Sequence, residues 1–151
     1  FGLLILSNSM FPSNSSGKYS SELILGFYFI LWSNDTGAYL SGKSFGKHKL
    51  FERISPNKTW EGSIGGALLA IGIAIFCGIF FTTLPLWKWA SIGLIISVFG
   101  SMGDLAESLF KRSMNVKDSG KIMPGHGGIL DRFDGLLIAS PFVFAFLIFV
   151  M

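Results

Sequence analysis

The stretch GSIGGALLAIGIAIFCGIFFTT, residues 62–83, is a long apolar run without a single charged residue. A run of this length is typical of a helix that spans a membrane. Gly62 and Gly66, extended by Ala70, form a small-residue face that favours close helix packing, within the chain or in a homodimer. Half of the 151 residues are hydrophobic and 14% are charged, whereas soluble domains average about 25% charged residues. The composition therefore predicts a membrane protein.

Other apolar segments on both sides of this run predict an all-α fold, a polytopic integral membrane helical bundle. The short connection TTLPL turns the chain back into a span over residues 86–110, which begins with interfacial aromatic residues. Two further spans are predicted over residues 22–40 and 135–151. Residues 1–6 are interpreted as the end of a spanning helix whose earlier part is missing. The chain is therefore predicted to be the C-terminal membrane domain of a longer protein, without its N-terminal helices.

Basic residues concentrate in two predicted loops, residues 41–61 and 111–132. Two predicted spans separate these loops, so both lie on one side of the membrane, and the positive-inside rule makes that side cytoplasmic. The net charge of +3 is explained by this topology and by phosphate binding better than by a nucleic-acid interface. No nucleic-acid partner is expected. The single cysteine, Cys77, excludes a disulfide within the chain.

Acidic residues gather at the predicted cytoplasmic edge, as Asp35 and as two acid-x-x-acid pairs, Asp104 with Glu107 and Asp131 with Asp134. A spacing of three residues places both acids of a pair on one helix face. The first pair alone is equally well explained by ion pairs with Lys111 and Arg112. Since the second pair returns to the same edge, a shared divalent metal becomes the better interpretation. Oxygen ligands without a Cys or His cluster favour Mg²⁺.

Potential phosphate ligands lie in both loops. Lys58 and Thr59 precede a predicted helix N-terminus, whose free N–H groups attract phosphate, while Glu61 is either part of that site or a simple N-terminal charge on the helix. His126 and Gly127 follow a Pro-Gly turn, where a phosphate or turn role is favoured over metal ligation. The GxGxxG and Walker A patterns are absent. The loops thus indicate a metal–phosphate site at the edge of a bilayer.

These residues resemble the signature of the phosphatidate cytidylyltransferases, the CDP-diacylglycerol synthases. The matching motifs are Ser108-x-Phe110-Lys111-Arg112, Lys117-Asp118-x-Gly120 and Pro124-x-His126-Gly127-Gly128-Ile129-x-Asp131-Arg132-Phe133-Asp134. Earlier motifs of the family resemble Asn34-Asp35-Thr36-Gly37-Ala38-Tyr39, Gly42-Lys43-x-Phe45-Gly46-Lys47 and Ile54-Ser55-Pro56-x-Lys58-Thr59-Trp60-Glu61-Gly62. The resemblance covers about residues 22–151. Met123, where the family has Leu, Ile or Phe, is a conservative departure.

The resemblance implies an enzyme of the bacterial inner membrane that converts CTP and phosphatidic acid into CDP-diacylglycerol and pyrophosphate. It implies a two-cation centre at Asp104, Asp131 and Asp134, with Mg²⁺ and K⁺ as the candidate cations. The residues assigned to the phosphate groups of CTP or the lipid are Lys58, Lys111, Arg112, Lys117, His126, Gly127 and Arg132. Asp35 is expected near the metal, and Ser55 and Thr59 are expected as further phosphate contacts.

Other classes of protein remain open on the sequence alone. A related transferase would use an ether lipid or another lipid phosphate. An ion transporter would use the acids as a cation path, although it would not need a loop so dense in Lys, Arg and Gly. A lipid-binding module without catalysis is a further alternative. Cation flux that needs no CTP would distinguish the transporter from the enzyme.

Overall fold

A computed structural model describes residues 21–51, 54–114 and 130–150 of the chain, with residues 130–134 described as helical backbone only. Helices dominate this part of the chain, and a short hairpin separates the first two. The elements are α1 (Glu22–Phe45), β1 (Lys49–Phe51), β2 (Ser55–Thr59), α2 (Trp60–Phe80), α3 (Leu86–Ser113) and α4 (Leu130–Val150). Each predicted apolar segment within the described residues therefore contains a helix, as the hydropathy indicated.

The predicted boundaries need correction at several helix ends. α1 continues to Phe45 and α3 to Ser113, while α4 begins at Leu130, so parts of both predicted loops are helical. Apolar segments indicate what a membrane can cover, whereas a helix continues into polar residues as long as its backbone hydrogen bonds persist. α2 ends earlier than predicted, because Phe81 adopts an extended conformation on entering the turn before Pro85.

The loop predicted over residues 41–61 is also wrong in its second half, where the structure has an antiparallel hairpin. Lys49 pairs with Thr59 and Phe51 with Ser55. The Trp60 N–H donates to the His48 carbonyl at 3.0 Å and continues the pairing to the first residue of α2. The strands are short and polar, so they lack the apolar alternation that identifies a strand in a sequence. The hairpin brings the chain directly into α2.

Glycines allow α1 and α2 to pack with their backbones in close approach. A Cβ added at Gly66 would lie 2.7 Å from the Asn34 carbonyl oxygen, and one added at Gly62 would lie 2.8 Å from the Ala38 carbonyl oxygen. Gly37 of α1 is equally close, since its Cβ would lie 3.1 Å from the Gly65 carbonyl oxygen. The small-residue face predicted on α2 therefore serves packing within the chain, as in other membrane helix pairs.

The core lies where α3 packs against the other helices. Trp89, Ile92 and Ile96 of α3 are fully buried, and the Phe99 ring stacks on Phe142 of α4 with 3.6 Å between centroids. The other helices contribute apolar side chains to the same cluster: Leu23, Phe27 and Ile30 of α1, Ala70 and Ala74 of α2, and Ala139, Val143 and Leu147 of α4. One continuous apolar core therefore fixes the relative positions of the four helices.

Within the described residues, α2 and α3 are the two helices long and apolar enough to cross a membrane. The apolar part of α4, Gly135–Val150, is shorter. Large apolar side chains such as Leu68 and Ile79 of α2 and Phe149 of α4 face outward, as expected for helices in contact with lipid. Spanning by α1 and α4, and a complete membrane bundle, stay predictions.

A glycine substitution tests the close α1–α2 packing. We expect Gly66→Ala to destabilise the fold by about 1–3 kcal/mol, because the added methyl group would meet the backbone of α1 and overpack the contact. Gly72→Ala is the matched control on the same helix, since a Cβ there has nothing within 4 Å. Thermal unfolding in detergent should show a lower Tm for Gly66→Ala only. Equal Tm values for the two variants would contradict the packing.

Candidate functional site

A cavity of about 300 Å³ lies at the end of the bundle where α1, α3 and the hairpin meet the start of α2. Each of these elements contributes polar side chains to its wall. α1 contributes Asn34, Asp35 and Tyr39, β2 contributes Ser55, Lys58 and Thr59, and α3 contributes Ser101 and Asp104. Five of the residues predicted for the site, Asp35, Ser55, Lys58, Thr59 and Asp104, therefore share one cavity.

Lys58 links the hairpin to α3 across the cavity. Its Nζ lies 2.6 Å from Asp104 Oδ2 and donates a hydrogen bond to the Ser101 carbonyl at 3.1 Å. The Asp104 side chain remains 47% exposed, so its carboxylate keeps a face open to the cavity. The pair joins residues far apart in the sequence and places a cation and an anion at one point of the wall.

Thr59 has a structural role in addition to its place in the cavity wall. It is the N-cap of α2, and its Oγ1 accepts a hydrogen bond from the Gly62 N–H at 3.1 Å. The residue is buried, and Gly46 is needed beside it because a Cβ there would lie 2.8 Å from Thr59 Cγ2. The predicted helix N-terminus after Lys58 is thereby confirmed, while the predicted phosphate contact of Thr59 stays a prediction.

Glu61 ties the hairpin to α2 outside the cavity. Its Oε1 lies 2.6 Å from His48 Nδ1, and the His48 backbone N–H donates to both carboxylate oxygens at 3.2 Å. The carboxylate therefore holds the base of the hairpin rather than serving only as a helix N-terminal charge. Nothing in the sequence pattern predicted this contact.

Three further charged residues of α3, Glu107, Lys111 and Arg112, lie beyond the cavity wall, toward the C-terminal end of the helix. Glu107 is 8% exposed, and Lys111 Nζ lies 3.4 Å from its Oε1. This ion pair is the one that the sequence offered as the alternative to a metal site. Arg112 is exposed on the last turn of α3. Asp104 forms its ion pair with Lys58 instead, so the two acids of this acid-x-x-acid pair have different surroundings.

The start of α4 lies beside the cavity. A Cβ added at Gly135 would be 3.6 Å from the carbonyl oxygen of Gly100, which lines the cavity. Asp131 and Asp134 belong to the helical turns immediately before Gly135, and their side chains, like that of Arg132, lie outside the described residues. Lys117, His126 and Gly127 also lie outside them. The predicted convergence of the two acid pairs stays a prediction, which the backbone position of α4 supports.

Two carboxylates are the candidate metal ligands among the described residues. The described residues contain no group of three or more His, Cys, Asp or Glu side chains that could hold a metal. They do place two carboxylates, Asp35 and Asp104, on one cavity wall. Carboxylate oxygens are the ligands that Mg²⁺ prefers, usually one or two together with substrate phosphates. The donor chemistry of the cavity therefore fits this ion.

Sequence reasoning missed Asn34 as a site residue. Its side chain is 3% exposed and lines the cavity, and its Nδ2 donates to Asp35 Oδ1 at 3.5 Å. The available signal was its place in the polar stretch of residues 33–36 within an apolar segment, because polar side chains at such positions usually face a cavity or a partner. Tyr39 and Ser101 were missed as well, and single aromatic or hydroxyl residues carry no comparable signal.

Comparisons with known proteins identify relatives of the chain. A model of the cytidylyltransferase family matches residues 1–150. The chain is 48% identical over 133 residues to the phosphatidate cytidylyltransferase of Staphylococcus saprophyticus, covering 87% of this chain and 50% of that protein. It is 52% identical over 128 residues to that of Bacillus subtilis, covering 84% and 48%. The chain thus spans about half the length of the curated relatives that it matches.

The N-cap can be tested without reference to activity. We expect Thr59→Val to destabilise the protein by about 1 kcal/mol, because the first turn of α2 loses the acceptor of its Gly62 N–H. Thr59→Ser keeps that oxygen and is the matched control. Thermal unfolding and hydrogen exchange at the Gly62 amide should separate the two variants. Identical exchange at Gly62 in both would exclude the capping role.

Proposed function

The chain belongs to the cytidylyltransferase family, and from this premise we propose that it carries the active site of a phosphatidate cytidylyltransferase. In this reaction the CMP group passes from CTP to phosphatidic acid, and CDP-diacylglycerol and pyrophosphate form. The single observation that supports the proposal best is the cavity in which Lys58 of the hairpin meets Asp104 of α3. It combines a cation for phosphate with a carboxylate for metal, and motifs shared with the family surround it.

The proposed reaction requires the protein mainly to position the two substrates and to stabilise negative charge. An oxygen of the lipid phosphate attacks the α-phosphorus of CTP, a new P–O bond forms, and the bond to the bridging α–β oxygen breaks. Pyrophosphate leaves with that electron pair. Since the nucleophile is already an anionic oxygen, no serine or histidine is needed to activate it. The protein must bring two anions together and stabilise the charge that develops on the leaving group.

Lys58 is suited to bind a phosphate while it holds the site together. An ammonium group has three N–H donors, and two of them point to Asp104 Oδ2 and the Ser101 carbonyl. A third remains for a phosphate oxygen at the cavity wall. Ser55 lines the same wall and adds a hydroxyl donor. We propose the same phosphate-binding role for further residues: Lys111, Arg112, Lys117, His126, Gly127 and Arg132.

Of the three proposed metal ligands, Asp104 is the one whose side chain the structure describes. We propose that it binds Mg²⁺ together with Asp131 and Asp134, with Asp35 nearby and K⁺ as a second cation. When bound, the metal would neutralise phosphate charge and stabilise the departing pyrophosphate. Asp104 has the exposed carboxylate that such ligation requires, and the pairing with Lys58 holds this carboxylate at the cavity wall.

The position of the cavity fits a substrate pair of which one member is a lipid. It lies at the end of the bundle, beside α2 and α3, the apolar helices whose outer faces would contact acyl chains. A lipid phosphate at the edge of a bilayer could reach this end without leaving the membrane, while CTP would enter from water. We propose that this is the cytoplasmic side of a bacterial inner membrane.

Turnover tests the proposal directly. Purified protein in detergent is given CTP, phosphatidic acid and Mg²⁺, and both products are followed, with EDTA as a control. We expect metal-dependent product, loss of activity by about 10²-fold or more for Asp104→Asn and Asp131→Asn, and a decrease of about 10–100-fold for Lys58→Ala. Lys49→Ala is the matched control, because Lys49 lies on the same hairpin and binds the Pro56 carbonyl instead.

Two controls distinguish a chain that needs an added N-terminal half from a wrong assignment. The Bacillus subtilis relative serves as the positive control, and a chimera that joins its N-terminal half to this chain tests whether that half is needed. Product from the chimera alone would keep the assignment and show the need for the added part. Folded protein and a folded chimera without product would reject the proposal. Cation flux without CTP would then favour the ion transporter.

Membrane topology gives a second test of the proposal. In a Cys77→Ala background, Lys47→Cys and Ser113→Cys place exposed thiols at the two predicted cytoplasmic loops, and Thr82→Cys places one in the turn between α2 and α3. We expect an impermeant maleimide to label the first two from the cytoplasmic side and the third from the outer side, because two spans separate the basic loops. Labelling of Lys47→Cys and Ser113→Cys from opposite sides would contradict the topology.

A further inference from the structure

Asn34 has hydrogen-bonding capacity that the described residues do not use. A carboxamide offers two N–H donors and an oxygen acceptor, and leaving such groups buried without partners is costly. Among the described residues, the Asn34 side chain makes one long hydrogen bond, from Nδ2 to Asp35 Oδ1 at 3.5 Å. The side chain is 97% buried and lines the polar cavity. A buried amide in this position has groups free for a ligand.

Asp35 determines which way the Asn34 amide faces. An ionised carboxylate only accepts hydrogen bonds, so the amino group of Asn34 must be the side turned toward it, as it is in the structure. Rotating the amide by half a turn would place its oxygen against the carboxylate and lose that bond. The second N–H and the oxygen are therefore offered to the cavity in one fixed order.

The fixed arrangement of donor and acceptor on the Asn34 amide is complementary to the edge of cytosine and not to that of uracil. The edge of cytosine presents an amino donor at N4 beside the ring acceptor N3, whereas uracil presents an acceptor at O4 beside a donor at N3. An amide of fixed orientation forms two hydrogen bonds with the cytosine edge. With uracil it would face donor with donor and acceptor with acceptor. We propose that Asn34 is the residue that selects CTP over UTP, an inference that rests on the proposed function.

The rest of the cavity is consistent with a nucleotide in this orientation. Lys58, Asp104 and Asp35 are charged residues of the wall, and Lys58 with a cation at Asp104 would bind the phosphates. Tyr39 lies on the same helix as Asn34, its side chain is 65% exposed, and Lys43 Nζ lies 5.8 Å from its ring centroid. Aromatic rings stack on any base without distinguishing it. Tyr39 would hold the base at this wall, and Asn34 would identify it.

The test compares two nucleotides in the same variants. We measure kcat/KM for CTP and for UTP in the wild type, Asn34→Ala and Asn34→Ser, together with competition of UTP against bound CTP by equilibrium dialysis. The wild type should prefer CTP strongly. Asn34→Ala should lower kcat/KM for CTP by about 10–100-fold, the loss of two hydrogen bonds, and change the value for UTP by less than about threefold. The CTP/UTP ratio should therefore fall by at least about threefold.

Ser33→Ala is the matched control on the same helix. The Ser33 hydroxyl donates to the Phe29 carbonyl at 2.5 Å and does not line the polar cavity, so this variant should keep both the activity and the ratio. If Asn34→Ala does not fold, Asn34→Ser provides the same comparison with a smaller polar side chain, and dialysis needs no turnover.

The remaining outcomes separate the two proposals. Equal losses with CTP and UTP, or an unchanged ratio, would overturn the inference and leave Asn34 as a residue that only orients Asp35. Folded wild-type protein and a folded chimera that turn over neither nucleotide, with the Bacillus subtilis relative active in the same assay, would reject the proposed function and this inference with it. A ratio that falls only in the Asn34 variants would support both.

Discussion

The close approach of the α1 and α2 backbones is the contact on which the rest of this structure depends. Gly37, Gly62 and Gly66 let the two helices meet at distances that any larger side chain would prevent. Because they meet at the N-terminal end of α2, the second half of α1 lies directly beside the hairpin that leads into α2. Asp35 and Lys58 thereby reach one cavity. In a membrane, where apolar side chains gain little by leaving lipid, such close packing supplies much of the attraction between helices.

Two polar contacts turn this helix packing into a defined site. The ion pair between Lys58 and Asp104 connects the hairpin to α3, and the contact of His48 with Glu61 connects the base of the hairpin to α2. The hairpin is short and would have no stable position by itself. Held at its base by these two contacts, it presents Lys58 at a fixed place in the wall. The same residue would therefore serve structure and phosphate binding, and a substitution there must be interpreted with both roles in mind.

The division of the cavity wall gives the proposed reaction a simple physical logic. Lys58 and Asp104 stand on the hairpin and α3, and α1 contributes the carboxylate of Asp35 together with Asn34 and Tyr39. In the proposed orientation the triphosphate and its cation would meet the charged side chains, and the base would meet Asn34 and Tyr39. Mutual repulsion of two phosphate substrates is the main obstacle to the reaction, and Lys58 together with the cation proposed at Asp104 would supply the positive charge that lowers this barrier.

The sequence by itself predicted the helices, including the two that are long and apolar enough to cross a membrane, and the family, because hydropathy and motif spacing are local properties of the chain. It also predicted Asp35, Ser55, Lys58, Thr59 and Asp104 as site residues, and all five reach one cavity. Only the tertiary structure decided that Asp104 pairs with Lys58 rather than with Lys111 or Arg112, that Thr59 caps α2, and that Asn34 is buried beside Asp35. The hairpin was missed because its strands are short and polar. Each of these features depends on contacts between segments that only packing brings together, and no local pattern records which partner a side chain will meet.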